Sequence, residues 1–366
     1  MQRREFLQLG TGALMAGVAV SRDGEAHAAQ APGTATGAAT AAKLKVDAYS
    51  RHLQWLRTAD EVAAATIEMG YDGVNLTVRD YPGHVNPANV AKELPPFVET
   101  LRARGLLVRS ITTNIVDADS PHAEAILAAA SAVGITHYWW GAFRYELAKP
   151  IWPQIDALKP RVAKLAALSE KYKMTACYHT YSMPGTVGSA FWDLLWVLKE
   201  FDPKHVGFHY DTGHQAHHIN GLWEVNLRAA GAYLSALAVK DYMPVQEVGG
   251  AGQGGDRPAP TGPAAVAPGG PGGAGGPRGQ GRPPGDANGW RTRTVPLGTG
   301  LVDLPRLASA LKDLNFSGPV EVQAEYPLGG AESARDAITI PRAEVLGAMA
   351  RDLQTLRRGF AASGLL

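Results

Sequence analysis

From Lys43 onward, short apolar runs alternate with longer stretches in which apolar positions recur every third or fourth residue. The short runs lie near 43–48, 73–77, 106–112, 135–140, 174–179, 205–210, 235–240 and 318–325. Runs of that length, rich in Val, Ile, Leu and Ala, predict buried strands, and the longer periodic stretches predict amphipathic helices. Local signals set several helix ends. Thr58 with Glu61 three residues on forms a capping box. Gly105 and Gly134 supply left-handed stops, and Ser120-Pro121 opens a first turn. Further helices are predicted near 153–172, 189–200, 223–233 and 341–358. Strand and helix in strict alternation make a parallel sheet, and eight such units close on themselves. The predicted fold class is therefore α/β, a (β/α)8 barrel, in one domain over 43–366. An open doubly wound sheet competes with it, but no glycine fingerprint follows the first strand, where such sheets bind phosphate.

Two segments stand outside this rhythm. Residues 246–289 are dominated by Gly, Pro and Ala, a composition that cannot bury enough apolar surface to offset its ordering entropy. It predicts a disordered insertion after the seventh strand, on the face where a barrel carries its active site. The N-terminus reads Arg3-Arg4-Glu5-Phe6-Leu7, then an apolar run from Leu9 to Val20, then Ala26-His27-Ala28. That is the pattern of a twin-arginine signal peptide over 1–28, followed by a flexible leader over 29–42. The apolar run is too short to span a bilayer, which takes about 20 residues. The expectation is thus a periplasmic or secreted protein with the twin-arginine export machinery as a transient partner and no lasting membrane insertion.

Composition narrows the chemistry. The chain has 366 residues, 35 basic against 34 acidic, and one cysteine, Cys177. So balanced a charge gives nucleic acid no electrostatic hold. A lone thiol excludes a disulfide framework and a cysteine-rich metal cluster, so any metal must rest on His, Asp and Glu.

Barrel sites form at the C-terminal ends of the strands. The polar residues at those positions are Ser50, His52 and Trp55 after the first strand, then Asn75 and Arg79, with His84 in the loop. Thr112, Thr113 and Asn114 end the third strand, and Trp139, Trp140 and Arg144 the fourth. The fifth gives His179 and Tyr181, the sixth Asp211 and His214, the seventh Lys240 and Asp241, and the eighth Gln323, Glu325 and Tyr326. Rings beside polar donors suit a sugar, whose C–H faces stack while its hydroxyls take hydrogen bonds. His52, Trp55, Asn114, Trp140, Arg144, Tyr181 and Gln323 are the expected substrate contacts. Only one of Trp139 and Trp140 can face the lumen, because a strand alternates its faces. His179, Asp211, His214 and Glu325 form a donor set suited to a divalent ion such as Mn, Mg, Co or Zn. Glu325, His179 and Lys240 are the expected catalytic groups, the lysine as an enolate stabiliser or as a salt-bridge partner of Asp241 or Asp211.

At these positions the sequence resembles the xylose-isomerase-like barrel superfamily of sugar phosphate isomerases and epimerases. The resemblance is carried by Gly70-Tyr71-Asp72-Gly73-Val74, His84-Val85-Asn86-Pro87 and Ile111-Thr112-Thr113-Asn114. Tyr178-His179-Thr180-Tyr181, Tyr210-Asp211-Thr212-Gly213-His214, Val239-Lys240-Asp241 and Glu325-Tyr326-Pro327 add to it, as does Pro296 through Asp303. It implies one divalent ion held by Glu, Asp, His and Glu from strands five to eight, two of the glutamates acting as acid and base around an enediolate. Carried over, the strand-six ligand falls on Asp211 and the strand-five glutamate on His179. The strand-seven histidine falls on Ala238, and the last glutamate on Gln323 or Glu325.

The functional expectation is a sugar or keto-sugar isomerase or epimerase that abstracts a proton beside a carbonyl with help from a metal. A lyase or dehydratase begins the same way, and Ala238 motivates a barrel that only binds sugar. An endonuclease-IV-like repair enzyme shares the barrel but needs a trinuclear zinc site that these residues do not supply. The sequence leaves self-association open.

Overall fold

The computed structural model describes residues 43–219, 221–246 and 290–366. The expected signal peptide, leader and, beyond Gln246, the expected insertion lie outside the described residues. Seven strands run in order: β1 Val46–Tyr49, β2 Gly73–Thr77, β3 Ser110–Thr112, β4 His137–Trp140, β5 Thr175–His179, β6 Val206–Asp211 and β7 Leu234–Val239. The pair β8 Asp241–Gln246 and β9 Trp290–Val295 follows, then β10 Val320–Val322. The helices are α1 Ala59–Met69, α2 Val90–Ala103, α3 Ala123–Ala132, α4 Ile151–Lys171, α5 Trp192–Leu198, α6 Thr212–Ile219, α7 Trp223–Ala230, α8 Leu304–Asp313 and α9 Arg342–Phe360.

β1 to β7 and β10 close into a barrel whose neighbours all pair in parallel, β10 sealing the ring between β7 and β1. The (β/α)8 barrel read from the sequence is the fold. α1 starts at the expected capping box: Thr58 Oγ1 accepts from Glu61 N at 3.2 Å, and Glu61 Oε2 accepts from Thr58 N at 2.9 Å. Gly70, Gly105 and Gly134 take the left-handed backbone, with φ of 82°, 81° and 71°. Among the described residues no helix is long and apolar enough to cross a membrane.

Two helices and a hairpin were not expected. α6 reads Thr-Gly-His-Gln-Ala-His-His-Ile, which has no apolar stripe. The hairpin β8–β9 is antiparallel, and Gln246 pairs with Trp290, so the unusual 246–289 segment departs from a two-stranded stem rather than from the barrel. Its strand β8 carries Pro244, and most of its residues are exposed or half-buried, so little apolar alternation marks it. α8 follows its own N-cap, Asp303, which accepts from Arg306 N at 3.0 Å.

Alternation along each strand sorts the two faces of the wall. Tyr138, Trp140, Tyr178, Phe208 and Tyr210 point outward into the shell between barrel and helices. There Tyr138 Oη meets Ser169 Oγ of α4 at 2.8 Å, and Phe191 stacks on Phe208 with centroids 4.5 Å apart. The alternate positions, among them Trp139, His179, Asp211, Gln323 and Glu325, point into the lumen.

Candidate active site

Seven strand ends supply the mouth. Lys240, just past β7, is the centre of it, with a side chain 1% exposed. Its Nζ donates to Glu325 Oε2 at 2.9 Å, to Gln323 Oε1 at 3.2 Å and to His214 Nε2 at 3.2 Å. Asp211 Oδ2 lies 2.9 Å away as an ion-pair partner. Asp211 Oδ2 is as near the ammonium as Glu325 is, so the lysine is shared among four acceptors and two of them carry charge.

Each partner is held in turn. Asp211 Oδ1 accepts from His214 N at 3.0 Å, which fixes the first turn of α6, and Asp211 N donates to Thr180 Oγ1 at 2.9 Å. His214 Nδ1 lies 2.6 Å from Ser182 Oγ. Since Nε2 accepts from Lys240, Nδ1 carries the proton and donates to Ser182. His179 Nε2 sits 3.0 Å from Asp211 Oδ2, while its ring stacks on Trp139 at 4.1 Å between centroids. Gly213 makes room for the lysine stem: a Cβ there would lie 2.7 Å from Lys240 Cγ.

The electrostatics follow from this geometry. Burial works against the charge on Lys240, but Asp211 and Glu325 keep its ammonium well above its ordinary pKa. Burial raises both acids, yet Lys240 outweighs it, leaving Asp211 far below the usual carboxylate range and Glu325 at about 2. Burial lowers His179, and burial together with Lys240 lowers His214 to about 3, so both rings are neutral near pH 7. His52, buried beside Arg51, falls to about 4.

Around this charge cluster stands an aromatic wall. Tyr49, Trp139, Tyr181 and Tyr242 succeed one another, with His179 and His214 between them at centroid distances from 4.1 to 6.4 Å. Three buried polar atoms of the upper barrel, His179 Nδ1, His52 Nε2 and Asn114 Oδ1, have no hydrogen-bond partner.

The structure brings Lys240, Asp211, His214, His179, Glu325, Gln323 and Tyr181 together. It corrects Trp140, which is fully buried against Phe143 and Tyr178 in the outer shell, while Trp139 takes the lumen side. Arg144 is exposed, in a loop bridged to Thr186, and makes no contact with the cluster. Trp55 packs against the core and donates to His52 O at 3.1 Å. His84 is fully used by Thr77, Gln54 and two backbone carbonyls and belongs to the scaffold. Asp241 is not a partner of Lys240. It accepts from the amides of Tyr242, Gly298, Gly300 and Val302, and so shapes the 296–303 loop.

Sequence reasoning missed Arg51, whose guanidinium lies 4.0 Å from Glu325 Oε1, and Glu321, one tier below. Glu321 accepts from Asn75 Nδ2 and from Gln323 Nε2, the latter at 2.6 Å. A glutamate between two valines on a strand buried on both sides was the available signal.

A family model described as "Xylose isomerase-like TIM barrel" matches residues 63–343, well over half of the chain. The chain belongs to the xylose isomerase-like TIM barrel family. No curated protein sequence matches it. Solved members of this barrel class resemble it in fold. The D-psicose 3-epimerase of Clostridium cellulolyticum H10, crystallised with D-tagatose, is 12% identical, covers 87% of this chain and 99% of its own, and has a TM-score of 0.55. The 3-keto-D-glucoside 4-epimerase of E. coli is 15% identical, with coverages of 86% and 100% and a TM-score of 0.54. An IOLI protein with a bound zinc atom is 13% identical, with coverages of 87% and 100% and a TM-score of 0.56.

For this family member the metal question turns on His179, Asp211 and His214, whose donor atoms lie within 4.8 Å of one another. Two imidazoles and a carboxylate are the right chemistry for a divalent ion. The space is not: both nitrogens of His214 are engaged, one of them by the Lys240 ammonium that stands among the donors. As folded, the residues present do not fit the ion.

Proposed function

We propose that the barrel mouth abstracts a proton beside the carbonyl of a sugar or keto-sugar, as an isomerase or epimerase. The single observation that carries this reading is the contact between Lys240 Nζ and Glu325 Oε2, at 2.9 Å, beside the aromatic wall. Glu325 is the one partner of Lys240 at the rim, with its side chain 27% exposed. A substrate carbonyl oxygen that takes its place on the ammonium frees the carboxylate and sets it against the neighbouring C–H.

The proton then passes to Glu325. The C–H electron pair flows into the carbonyl, and the enediolate oxygen keeps its hydrogen bond from Lys240. A proton delivered from solvent to the opposite face of the same carbon gives the epimer; a proton returned by Glu325 to the former carbonyl carbon, as the neighbouring hydroxyl passes its own proton to the enediolate oxygen, gives the isomer. Tyr181, Trp139 and Tyr242 would stack on the sugar, and His179 Nδ1 and Asn114 would meet its hydroxyls. The fold is shared with the two epimerases named above, which supports the reaction class. The N-terminal export pattern favours an unphosphorylated sugar.

The test is hydrogen exchange. Wild-type protein is incubated in deuterated water with D-fructose, D-tagatose, D-psicose and a 3-keto-glucoside, and products are read by NMR. Deuterium at a carbon next to the carbonyl, abolished in Glu325→Gln, is expected. Saturable sugar binding with neither exchange nor product would overturn the reading and leave a sugar-binding barrel.

A further inference from the structure

We propose that the Lys240 ammonium is the resident cation of this site, standing where a divalent ion would otherwise be held. The inference deepens the proton-transfer reading and rests on it for the role of the mouth.

The geometry excludes joint occupancy. Asp211 Oδ2 and His214 Nε2 are 3.9 Å apart, and Lys240 Nζ is 2.9 Å from the first and 3.2 Å from the second. An ion bonded to both at about 2.1 Å would therefore lie about 3 Å or less from the ammonium. Two positive centres that close, in a buried site, repel strongly. The lysine also holds the lone pair of His214 Nε2 that the ion would need.

The strands show how the exchange is built. On β7 the lumen positions alternate, and Ala238 pairs in register with Asp211 of β6. The family's histidine position falls on this alanine. Its methyl group does not reach across to the aspartate carboxylate. Lys240, the next inward position, has the length to reach back to that carboxylate, and Gly213 leaves its stem unobstructed. The barrel thus sets a methyl group beside Asp211 at one level and an amine at the next, and that amine faces Asp211 and Glu325 at 2.9 Å each.

The test reads metal occupancy and melting, not turnover, so it separates from the test of the reaction. Wild-type protein and Lys240→Met are dialysed against EDTA, then against zinc or manganese, and assayed for bound metal and melting temperature. The wild type is expected to keep far less than one ion per chain and to melt at the same temperature with EDTA or zinc. Lys240→Met is expected to gain about one zinc per chain and a melting rise of several degrees, since a ligand that binds only the folded state stabilises it. Ala238→His/Lys240→Met, which restores an imidazole, is expected to bind more tightly still and serves if the single variant fails to fold. A wild-type protein that retains one zinc per chain and loses stability on EDTA overturns the proposal. So do folded variants that gain no metal.

Discussion

Glu321 and Glu325 stand four residues apart on the same wall of the same lumen, and the barrel treats them in opposite ways. Glu325 faces Lys240 at 2.9 Å and Arg51 at 4.0 Å, and its carboxyl is held at about 2. Glu321 has amide donors from Asn75 and Gln323, and the nearest ring, His209, stands at 3.6 Å and is itself held neutral by burial. Burial therefore dominates, and Glu321 rises to about 8. At this mouth the amide donors do not offset the burial of Glu321, whereas Lys240 does offset that of Glu325. The mouth is thus an ionic tier over a neutral, hydrogen-bonded one, joined by Gln323, which accepts from Lys240 and donates to Glu321.

Removing the cation should collapse that difference. Lys240→Met leaves Asp211 and Glu325 without their main counter-charge, and a broken buried pair costs about 3–5 kcal/mol. Chemical denaturation should show a loss of that order, and Asp211→Asn/Lys240→Met should recover part of it. Equal stability of Lys240→Met and wild type would mean that the ammonium does not organise the upper tier.

The lower tier predicts a pH effect of comparable size. Glu321 has a folded pKa of about 8 against an ordinary 4.5, so the folded state holds a proton that the unfolded chain releases. Its contribution is complete below pH 4.5 and is lost as pH rises to about 8, a change on the order of 3–5 kcal/mol. Glu325 runs the other way: its contribution is present above pH 4.5 and lost as pH falls toward 2. Denaturation across pH 4–9 should show Glu321→Gln flattening the alkaline loss, with Asp47, raised to about 7 by burial, and Asp352, raised to about 6 by burial, accounting for part of what remains. An unchanged slope in the variant would place the titration elsewhere. The smallest effect is expected at Arg51, its side chain 22% exposed and 4.0 Å from Glu325. Arg51→Gln should change stability by about 0.2–1 kcal/mol, more at low salt than at high salt.

The architecture was legible because each barrel strand is buried on both sides and each covering helix on one, so apolar length and period mark both. α6 and the hairpin were not legible, since neither carries that signal. At the site, His179, Asp211, His214, Lys240 and Glu325 could be found from their place at strand ends. That they converge on the lysine could not, because it depends on how β6, β7 and β10 stagger in the closed ring. Gly213 beside His214 was the available hint of a close approach. Trp139 and Trp140 show the same limit. Parity says that one faces inward, and only contacts with His179 or with Phe143 say which. Glu321 lies inside its strand rather than at its end, and the lumen of this barrel is polar one tier below the mouth.

The most direct measurement is anomalous diffraction at the zinc edge from crystals soaked in zinc chloride, wild type beside Lys240→Met. The account predicts that the wild type shows the lysine side chain between Asp211, His214, Gln323 and Glu325 with no anomalous peak there, and that the variant shows one. A zinc peak bonded to Asp211 and His214 in the wild type, with Lys240 turned away, would contradict it.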